Sequence, residues 1–333
     1  MKINDNVISS ASDERDFIFD VNAALQLPTR VDLRHPLQEI EDQETTGSCT
    51  ANAICSYLEW IGLQRGEYFD LSRFFVYWNE RNDENRIGQD GAQIRDGLKS
   101  VKNVGVCSEF VWPFDLTREN VRPIQGAYDE AARMKLIRFE RLPIIDGADL
   151  SGMIQNIQNI KAALAQGYPV LIGFDIKRWF FRMKGDMHDH ATLDISDPNF
   201  YKSEGGHCTV LYGYDDSMSG SIGLTSYGTG FGDGGYYMHP YTALGQDVFE
   251  AWVLKGFIVP ETQPILPPTL AQQGYAKAEI SLAALYVGMF GRAPDAAGFN
   301  YWMSALSSKI GDDMYNSPKA LGTARSYYAC SCS

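Results

Sequence analysis

Apolar residues in the first half of the chain recur at the spacing of an α-helix. In CTANAICSYLEWIGLQRG they fall three and four positions apart from Cys49 onward, and the pattern stops at Gly66. LSRFFVYWNERND and AQIRDGLKSVKNVG have the same period, and the second of these segments ends at Gly105. The pattern therefore predicts three helices, with Cys49 at the N-terminus of the first.

The second half of the chain has a different pattern. Short runs of β-branched and aromatic residues are separated there by glycine and aspartate turns, which is typical of strands. These runs are YPVLIGFDI, GGHCTVLYGYD, SIGLTSYG, GGYYMHP and EAWVLKGFIV. Residues 178–206 lack a clear period and indicate a long loop. We therefore predict an α+β protein whose helical half precedes a strand-rich half.

Composition divides the chain into four parts. Residues 1–26 form a polar arm, and the patterned main domain spans 27–258. Prolines crowd the start of residues 259–276, which indicates a semi-rigid linker. Residues 277–333 contain a small all-α module with a cysteine-containing tail. The module is too short for a robust core, so we expect it to dock on the main domain, on a second copy or on a partner.

The charge of the chain indicates which classes of partner it can bind. Its formal net charge is −13, and Lys and Arg form no cluster. Binding to nucleic acid or anionic lipid is therefore not expected, and protein partners are favoured. No run of about 18 apolar residues is present. The N-terminus also lacks a continuous apolar stretch, so we expect neither a membrane span nor a secretory signal.

The cysteines and histidines do not predict a metal or disulfide framework. The six cysteines are scattered and include no CxxC pair, so most should be free thiols. His188 and His190 in GDMHDH could hold a metal ion, but their spacing fits no standard ligand set and a hydrated loop is favoured. The thiols predicted to pack in the core or in loops are Cys55, Cys107 and Cys208. We therefore expect no metal and no cofactor.

Cys49 has two possible interpretations. A free cysteine is often a buried structural residue, whereas a thiolate at a helix N-terminus beside an imidazole is a nucleophile. Of the five histidines, His207 is the best candidate for that imidazole. Gly205 and Gly206 precede it at the start of an apolar strand, where the backbone can approach a cleft closely.

The segment DQETTGSCTANA, residues 42–53, resembles the active-site segment of papain-like cysteine peptidases, and its second half is similar to a bacterial and viral branch of that family. Further segments in the family's order are VDLR, LSRFFVYWNER, GVCSEFVWPFD, GYPVLIGF, GGHCTVLYGYDD and GTGFGDGGYYMHP. The resemblance covers residues 27–258 and implies a papain-like fold with a helical lobe and an antiparallel β lobe. It also implies an endopeptidase that cleaves protein or peptide substrates through a thioester, without a cofactor.

The resemblance implies a role for each matching residue. Cys49 would attack the scissile carbonyl, and His207 would hold the thiolate and then protonate the leaving amine. Gln43 and the backbone N–H of Cys49 would form the oxyanion hole. The positions expected to line the substrate are Gly47, Ser48, Gly205, Gly206 and Tyr227.

The chain departs from the family at the residue that orients the histidine. Where the family has Asn-Ser-Trp-Gly, this chain has TSYG, which places Thr225 at the Asn and Tyr227 at the Trp. A threonine hydroxyl can accept a hydrogen bond from an imidazole but is shorter than an amide. We therefore predict reduced rather than absent activity. The alternative is a catalytically relaxed structural or assembly protein of a phage particle or a surface.

The two ends of the chain carry further predictions. The arm, residues 1–26, could lie across the cleft as an inhibitory segment. LYVGMFGRAPDAAGFNYWMSAL in the C-terminal module resembles a domain of unknown function with a Gly-Arg-x-Pro-Asp-x-x-Gly motif, which favours docking or assembly. Cys330 and Cys332 either form an intermolecular disulfide or end an unpaired tail. The sequence leaves the compartment open, including export without a signal and a virion location.

Overall fold

The computed structural model describes residues 7–11, 13–22, 25–177, 180 and 202–259. The features that lie outside these residues are the linker beyond Val259, the module at 277–333 with Cys330 and Cys332, and the GDMHDH segment with His188 and His190. The predictions made for those features stay predictions.

The three helices predicted in the first half are confirmed. The helices of the described residues are α1 (Cys49–Leu63), α2 (Arg73–Asp83), α3 (Ile94–Asn103), α4 (Gln125–Ala131), α5 (Leu150–Ala165) and α6 (Tyr241–Asp247). Helix α2 begins where the Ser72 hydroxyl accepts a hydrogen bond from the N–H of Phe75. None of the helices in this part of the chain combines the length and the apolar composition needed to cross a bilayer.

The strands of the described residues form an antiparallel sheet. They are β1 (Arg30–Asp32), β2 (Lys135–Leu142), β3 (Val170–Lys177), β4 (Ser203–Asp215), β5 (Gly220–Leu224), β6 (Tyr236–Pro240) and β7 (Val248–Ile258). The order across the sheet is β2-β7-β3-β4-β5-β6, and β1 pairs with β4. The α+β class is therefore confirmed.

The division into a helical half and a strand-rich half is wrong in one respect. Strand β2 lies in the stretch predicted as helical, and it pairs with β7 from the other end of the main domain. Leu136, for example, lies opposite Phe257. Helix α5 then separates β2 from β3, and α6 lies between β6 and β7 within the predicted strand-rich half. The segment KLIRFERL was not predicted as a strand because it is rich in charged residues. It becomes a stable strand only by pairing with β7.

Helices cover both faces of the sheet and create two buried clusters. One cluster joins α1, α2 and α3 to side chains such as Cys208 and Val210 of β4. The other joins α5 and α6 to Leu211 of the same strand and to Phe174 of β3. Successive side chains of a strand point to opposite faces. This alternation confirms that Cys208 is a core residue, and it turns the neighbouring His207 toward the second cluster.

Candidate active site

Cys49 is the first residue of α1 and is fully buried. The N–H groups of a first helical turn have no partner within the helix, and they give this end a partial positive charge. Ser48 occupies the N-cap position, but its side chain caps no helical N–H. The thiol therefore lies where a helix stabilises negative charge, as the sequence predicted.

The Gln43 side chain is held in one orientation. Its Nε2 donates to the backbone oxygen of Thr46 at 2.8 Å, and its Oε1 accepts from the Ser226 hydroxyl at 2.6 Å. A carbonyl oxygen cannot donate, so the amide nitrogen must face Thr46 and the amide oxygen must face Ser226. Two hydrogen bonds thus fix the donor group that the family resemblance assigns to the oxyanion hole.

Gly47 is required by close packing with a neighbouring loop. A Cβ at this position would lie 2.7 Å from the backbone nitrogen of Gly91 and 3.1 Å from the Tyr77 hydroxyl. Both distances are shorter than ordinary carbon contacts, and the first involves backbone that cannot turn aside. The structure therefore gives Gly47 a packing reason, in addition to the predicted approach of substrate.

His207 lies on β4 and is also fully buried. Its Nε2 is 3.1 Å from Thr225 Oγ1, so the threonine hydroxyl reaches the imidazole despite its short side chain. The Tyr227 ring stacks on the imidazole, with centroids 4.9 Å apart and planes 25° from parallel. The Tyr227 hydroxyl is 3.4 Å from Nδ1. Phe174 and Phe180 also lie beside the imidazole, with ring centroids 5.7 and 5.8 Å from that of His207.

The segment that follows β5, residues 225–227, joins the two halves of the site. The N–H of Gln43 donates to the backbone oxygen of Ser226 at 2.8 Å, and Asp42 pairs with Tyr227. Ser226 lies between the two residues that contact His207. The loop before Cys49 is therefore bonded directly to the segment that orients the histidine. Ser226 was not among the predicted site residues, although its place inside the TSYG motif was a usable signal.

The other described cysteines are unsuited to nucleophilic chemistry. Burial raises the pKa of the Cys55 thiol well above its ordinary value, and nearby carboxylates such as Glu59 act in the same direction. Burial also raises the pKa of Cys107 and of Cys208. All three thiols are buried and free of disulfide bonds. The prediction that they pack in the core is confirmed.

The N-terminal arm covers part of the predicted substrate surface. Val7 donates its N–H to the backbone oxygen of Gly206 at 3.0 Å, beside His207. A Cβ on Gly206 would lie 2.5 Å from Val7 O, so only glycine permits this approach. The next residue, Ile8, donates its N–H to the oxygen of Ala92 at 3.1 Å, on the loop that packs against Gly47. Val7 also belongs to the same buried cluster as Cys49.

Polar and ionic contacts hold the arm at residues that follow Val7 and Ile8. Asp16 forms a buried ion pair with Arg95, and Arg141 lies 3.7 Å from the same carboxylate. The N–H of Ser10 donates to Glu250 Oε1 at 3.2 Å. Burial raises the pKa of Glu250, while its hydrogen bonds lower it. The arm is thus attached both to a helix and to the sheet.

Three acidic residues of the described part of the chain lie close enough together to hold a metal ion. Oxygen atoms of Glu39, Glu41 and Asp70 lie within 4.8 Å of one another. Glu39 already accepts a hydrogen bond from Tyr68, and Glu41 forms an ion pair with Arg73. Burial and the neighbouring carboxylates raise the pKa of Asp70 to about 7. Tyr68 and Arg73 therefore already bind two of the three carboxylates.

Sequence comparisons with known proteins point to one family. The family described as papain family cysteine protease matches residues 27–243. An uncharacterised peptidase C1-like protein, L477, of Acanthamoeba polyphaga mimivirus is 33% identical over 246 residues, which are 72% of this chain and 75% of that protein.

Solved structures show the same fold. Xylellain, a cysteine protease from Xylella fastidiosa, aligns with a TM-score of 0.64 and 29% identity, over 76% of this chain and 96% of its own. Digestive procathepsin L 3 of the Tenebrio molitor larval midgut aligns with a TM-score of 0.56 and 20% identity, over 77% of each chain. At 20% identity the second likeness concerns the fold alone. The predicted papain-like fold of the α+β class is confirmed.

Proposed function

Because the chain belongs to the papain family of cysteine proteases, we propose that it hydrolyses peptide bonds through a thioester on Cys49. The Cys49 sulfur attacks the scissile carbonyl carbon, and His207 receives the thiol proton and passes it to the leaving amine. The negative charge on the carbonyl oxygen is stabilised by the Gln43 amide and the Cys49 N–H. Water activated by His207 then cleaves the thioester and restores the thiol.

The observation that carries this proposal is the 3.1 Å contact between His207 Nε2 and Thr225 Oγ1. A hydroxyl that accepts from Nε2–H keeps the proton on that nitrogen and leaves Nδ1 as the base. The family's asparagine is assigned the same task. Thr225 therefore supports a working histidine, although one hydroxyl constrains the ring less than a longer amide. We expect activity that is reduced but measurable.

Two reagents test the proposal in the full chain. A fluorogenic peptide reports turnover, and a thiol-directed epoxide reports a nucleophilic thiol at neutral pH. Cys49→Ala should abolish both signals, whereas Cys55→Ala, on the same helix but away from the site, should retain them. Folded wild-type protein that neither turns over the peptide nor labels at Cys49, with or without the arm, would contradict the proposal.

The arm is proposed to inhibit the same site. Its support is the contact of Val7 with Gly206 and the complete burial of Cys49 and His207. A substrate that needs Gly206 must displace Val7. Removing residues 1–26 should therefore raise the turnover rate. The full chain with Asp16→Ala should behave in the same direction, because it loses the anchor to Arg95 without losing the arm.

The arm experiment has a clear negative outcome. Asp13→Ala is a matched control, because Asp13 is on the same arm but pairs with its neighbour Arg15. Equal peptide turnover by wild type, the shortened chain and Asp16→Ala, with all three folded, would remove the inhibitory role. The alternative assembly function depends on residues 259–333, and it stays a prediction that copy number in a purified particle can test.

A further inference from the structure

A buried asparagine connects the oxyanion loop, residues 43–48, to the helix that carries the nucleophile. Asn52 lies on α1 one turn after Ser48 and is almost fully buried. Its Nδ2 donates to the backbone oxygen and to the hydroxyl of Ser48, at 2.9 Å in each case. An amide nitrogen carries two hydrogens, so Asn52 can donate to both oxygens of Ser48.

The hydrogen bonds that continue from Ser48 run in one direction. Thr46 Oγ1 donates its single hydrogen to the backbone oxygen of Gln43 at 2.7 Å. The 2.7 Å contact between Thr46 Oγ1 and Ser48 Oγ must then have Ser48 as its donor. Donation therefore passes from Asn52 through Ser48 and Thr46 to Gln43. The orientation of each hydroxyl therefore depends on the residue that donates a hydrogen bond to it.

The same bonds change the N-terminus of α1. A serine at the N-cap position commonly accepts from an N–H two or three residues later. The Ser48 hydroxyl instead accepts from Asn52 and donates to Thr46, and its side chain caps no helical N–H. The N–H groups of the first turn, including that of Cys49, are therefore not covered by this side chain.

We propose that Asn52 is a positioning residue of the oxyanion hole. By fixing Ser48 and Thr46, it sets the distance between the Gln43 amide and the Cys49 N–H, the two donors assigned to the developing oxyanion. The inference rests on the proposed peptidase function of Cys49. Asn52 touches no reacting atom, so its effect is transmitted through the loop.

The competing explanation is that Asn52 only stabilises its helix. Asn79 offers a matched control, because it is also buried and its Nδ2 donates to the backbone oxygen of Phe75, four residues earlier on α2. Asn79 has no bond to the oxyanion loop among the described residues. Asn52→Ala and Asn79→Ala thus remove the same local helix bond, and only the first breaks the connection to Thr46 and Gln43.

Two probes of the full chain separate oxyanion binding from thiol reactivity. A peptide aldehyde adds to Cys49 as a hemithioacetal, whose oxygen needs the oxyanion donors, whereas iodoacetamide alkylates the thiolate without forming an oxyanion. The aldehyde inhibition constant should rise about fivefold to tenfold in Asn52→Ala, and kcat/KM should fall by a similar factor. The iodoacetamide rate should stay within about twofold of wild type. Parallel measurements in the Asp16→Ala background give both probes access if the arm limits it.

Several results would overturn the inference. These are an equal loss of aldehyde binding and of alkylation in Asn52→Ala, no change in either, or the same pattern in Asn79→Ala. If the wild-type protein binds no aldehyde, the peptidase proposal fails, and hydrogen exchange then judges the connection itself. Residues 43–48 should exchange faster in Asn52→Ala than in wild type or Asn79→Ala, and equal exchange would contradict the positioning role.

Discussion

The two halves of the candidate site are built in different ways. Around Cys49, the bonds of the oxyanion loop join residues two to four positions apart, such as Asn52 to Ser48 and Thr46 to Gln43. Around His207, the contacts with Thr225 and Tyr227 span 18 and 20 positions. The bonds within the oxyanion loop are therefore local along the chain, whereas the contacts of His207 depend on the register of separate strands.

This difference changes how each half responds to substitution. The donors and acceptors of the nucleophile half are connected to one another, so losing one member disturbs several bonds. In the histidine half, the hydroxyls of Thr225 and Tyr227 lie at the imidazole nitrogens and aromatic rings pack around them, so removing one hydroxyl leaves the ring packing in place. We therefore expect larger catalytic losses from the loop before Cys49 than from the residues that orient His207.

The largest expected effect is at Gln43. Gln43→Ala removes the assigned oxyanion donor together with the bonds to Thr46 and Ser226. The kcat of the Gln43→Ala variant should be lower than that of wild type by a factor of about 10² to 10³. Gln38→Ala is the control, because Gln38 is also buried but its amide atoms have no hydrogen-bond partner among the described residues. Steady-state peptide hydrolysis measures both, and similar losses in the two variants would remove the special role of Gln43.

A smaller effect is expected at Thr225. Thr225→Val preserves shape but removes the hydroxyl that contacts His207, so kcat/KM should fall by about fivefold. Thr225→Asn restores the family's amide and should equal or exceed wild type. Activity-based labelling beside Cys49→Ala confirms that the signal comes from the site. Full activity in Thr225→Val would show that packing alone orients the imidazole.

Glu80 links the nucleophile half to stability at different pH values. It is fully buried and accepts a hydrogen bond from Thr50 at 2.6 Å, and burial raises the pKa of its carboxyl well above the ordinary value. The folded state therefore retains a proton that the unfolded state loses, so stability should fall as the pH rises above the ordinary glutamate pKa. Glu80→Gln should remove this loss and melt higher at neutral pH.

Melting curves between about pH 4 and pH 8 check the Glu80 prediction, with exposed Asp129→Asn as the control. Each kcal/mol gained should raise the Tm by about 2–4 °C in a domain of this size. The advantage of Glu80→Gln should disappear at the acidic end, where the wild-type carboxyl is protonated in both states. An advantage that does not change with pH would show that titration of Glu80 is not its cause.

The smallest expected effect is at the Tyr227 hydroxyl. Tyr227→Phe keeps the ring stacked on His207 and removes only the oxygen 3.4 Å from Nδ1. Because this contact is long, peptide turnover should change by less than about threefold. Comparing the acidic limbs of the pH–rate profiles gives the cleanest measurement. A loss as large as that of Thr225→Val would mean that the tyrosine hydroxyl, too, orients the histidine.

Much of the nucleophile half could be predicted from the sequence. Helical spacing identified α1, and the segment around Gln43 and Cys49 indicated the active site, because those contacts are local along the chain. The connection through Asn52 was not predicted, since a buried Asn in a helix has many possible partners. Ser226 was missed for another reason: its bond to Gln43 joins residues 183 positions apart.

The sequence alone determined helices α1, α2 and α3, the strand-rich second half, and the residue types that a thiol-based site requires, because period and motif are properties of neighbouring residues. Only the tertiary structure decided that β2 joins the sheet beside β7, that Thr225 reaches His207, and that Val7 lies against Gly206. Those contacts depend on strand register and on close backbone approach between distant segments, which no local pattern encodes.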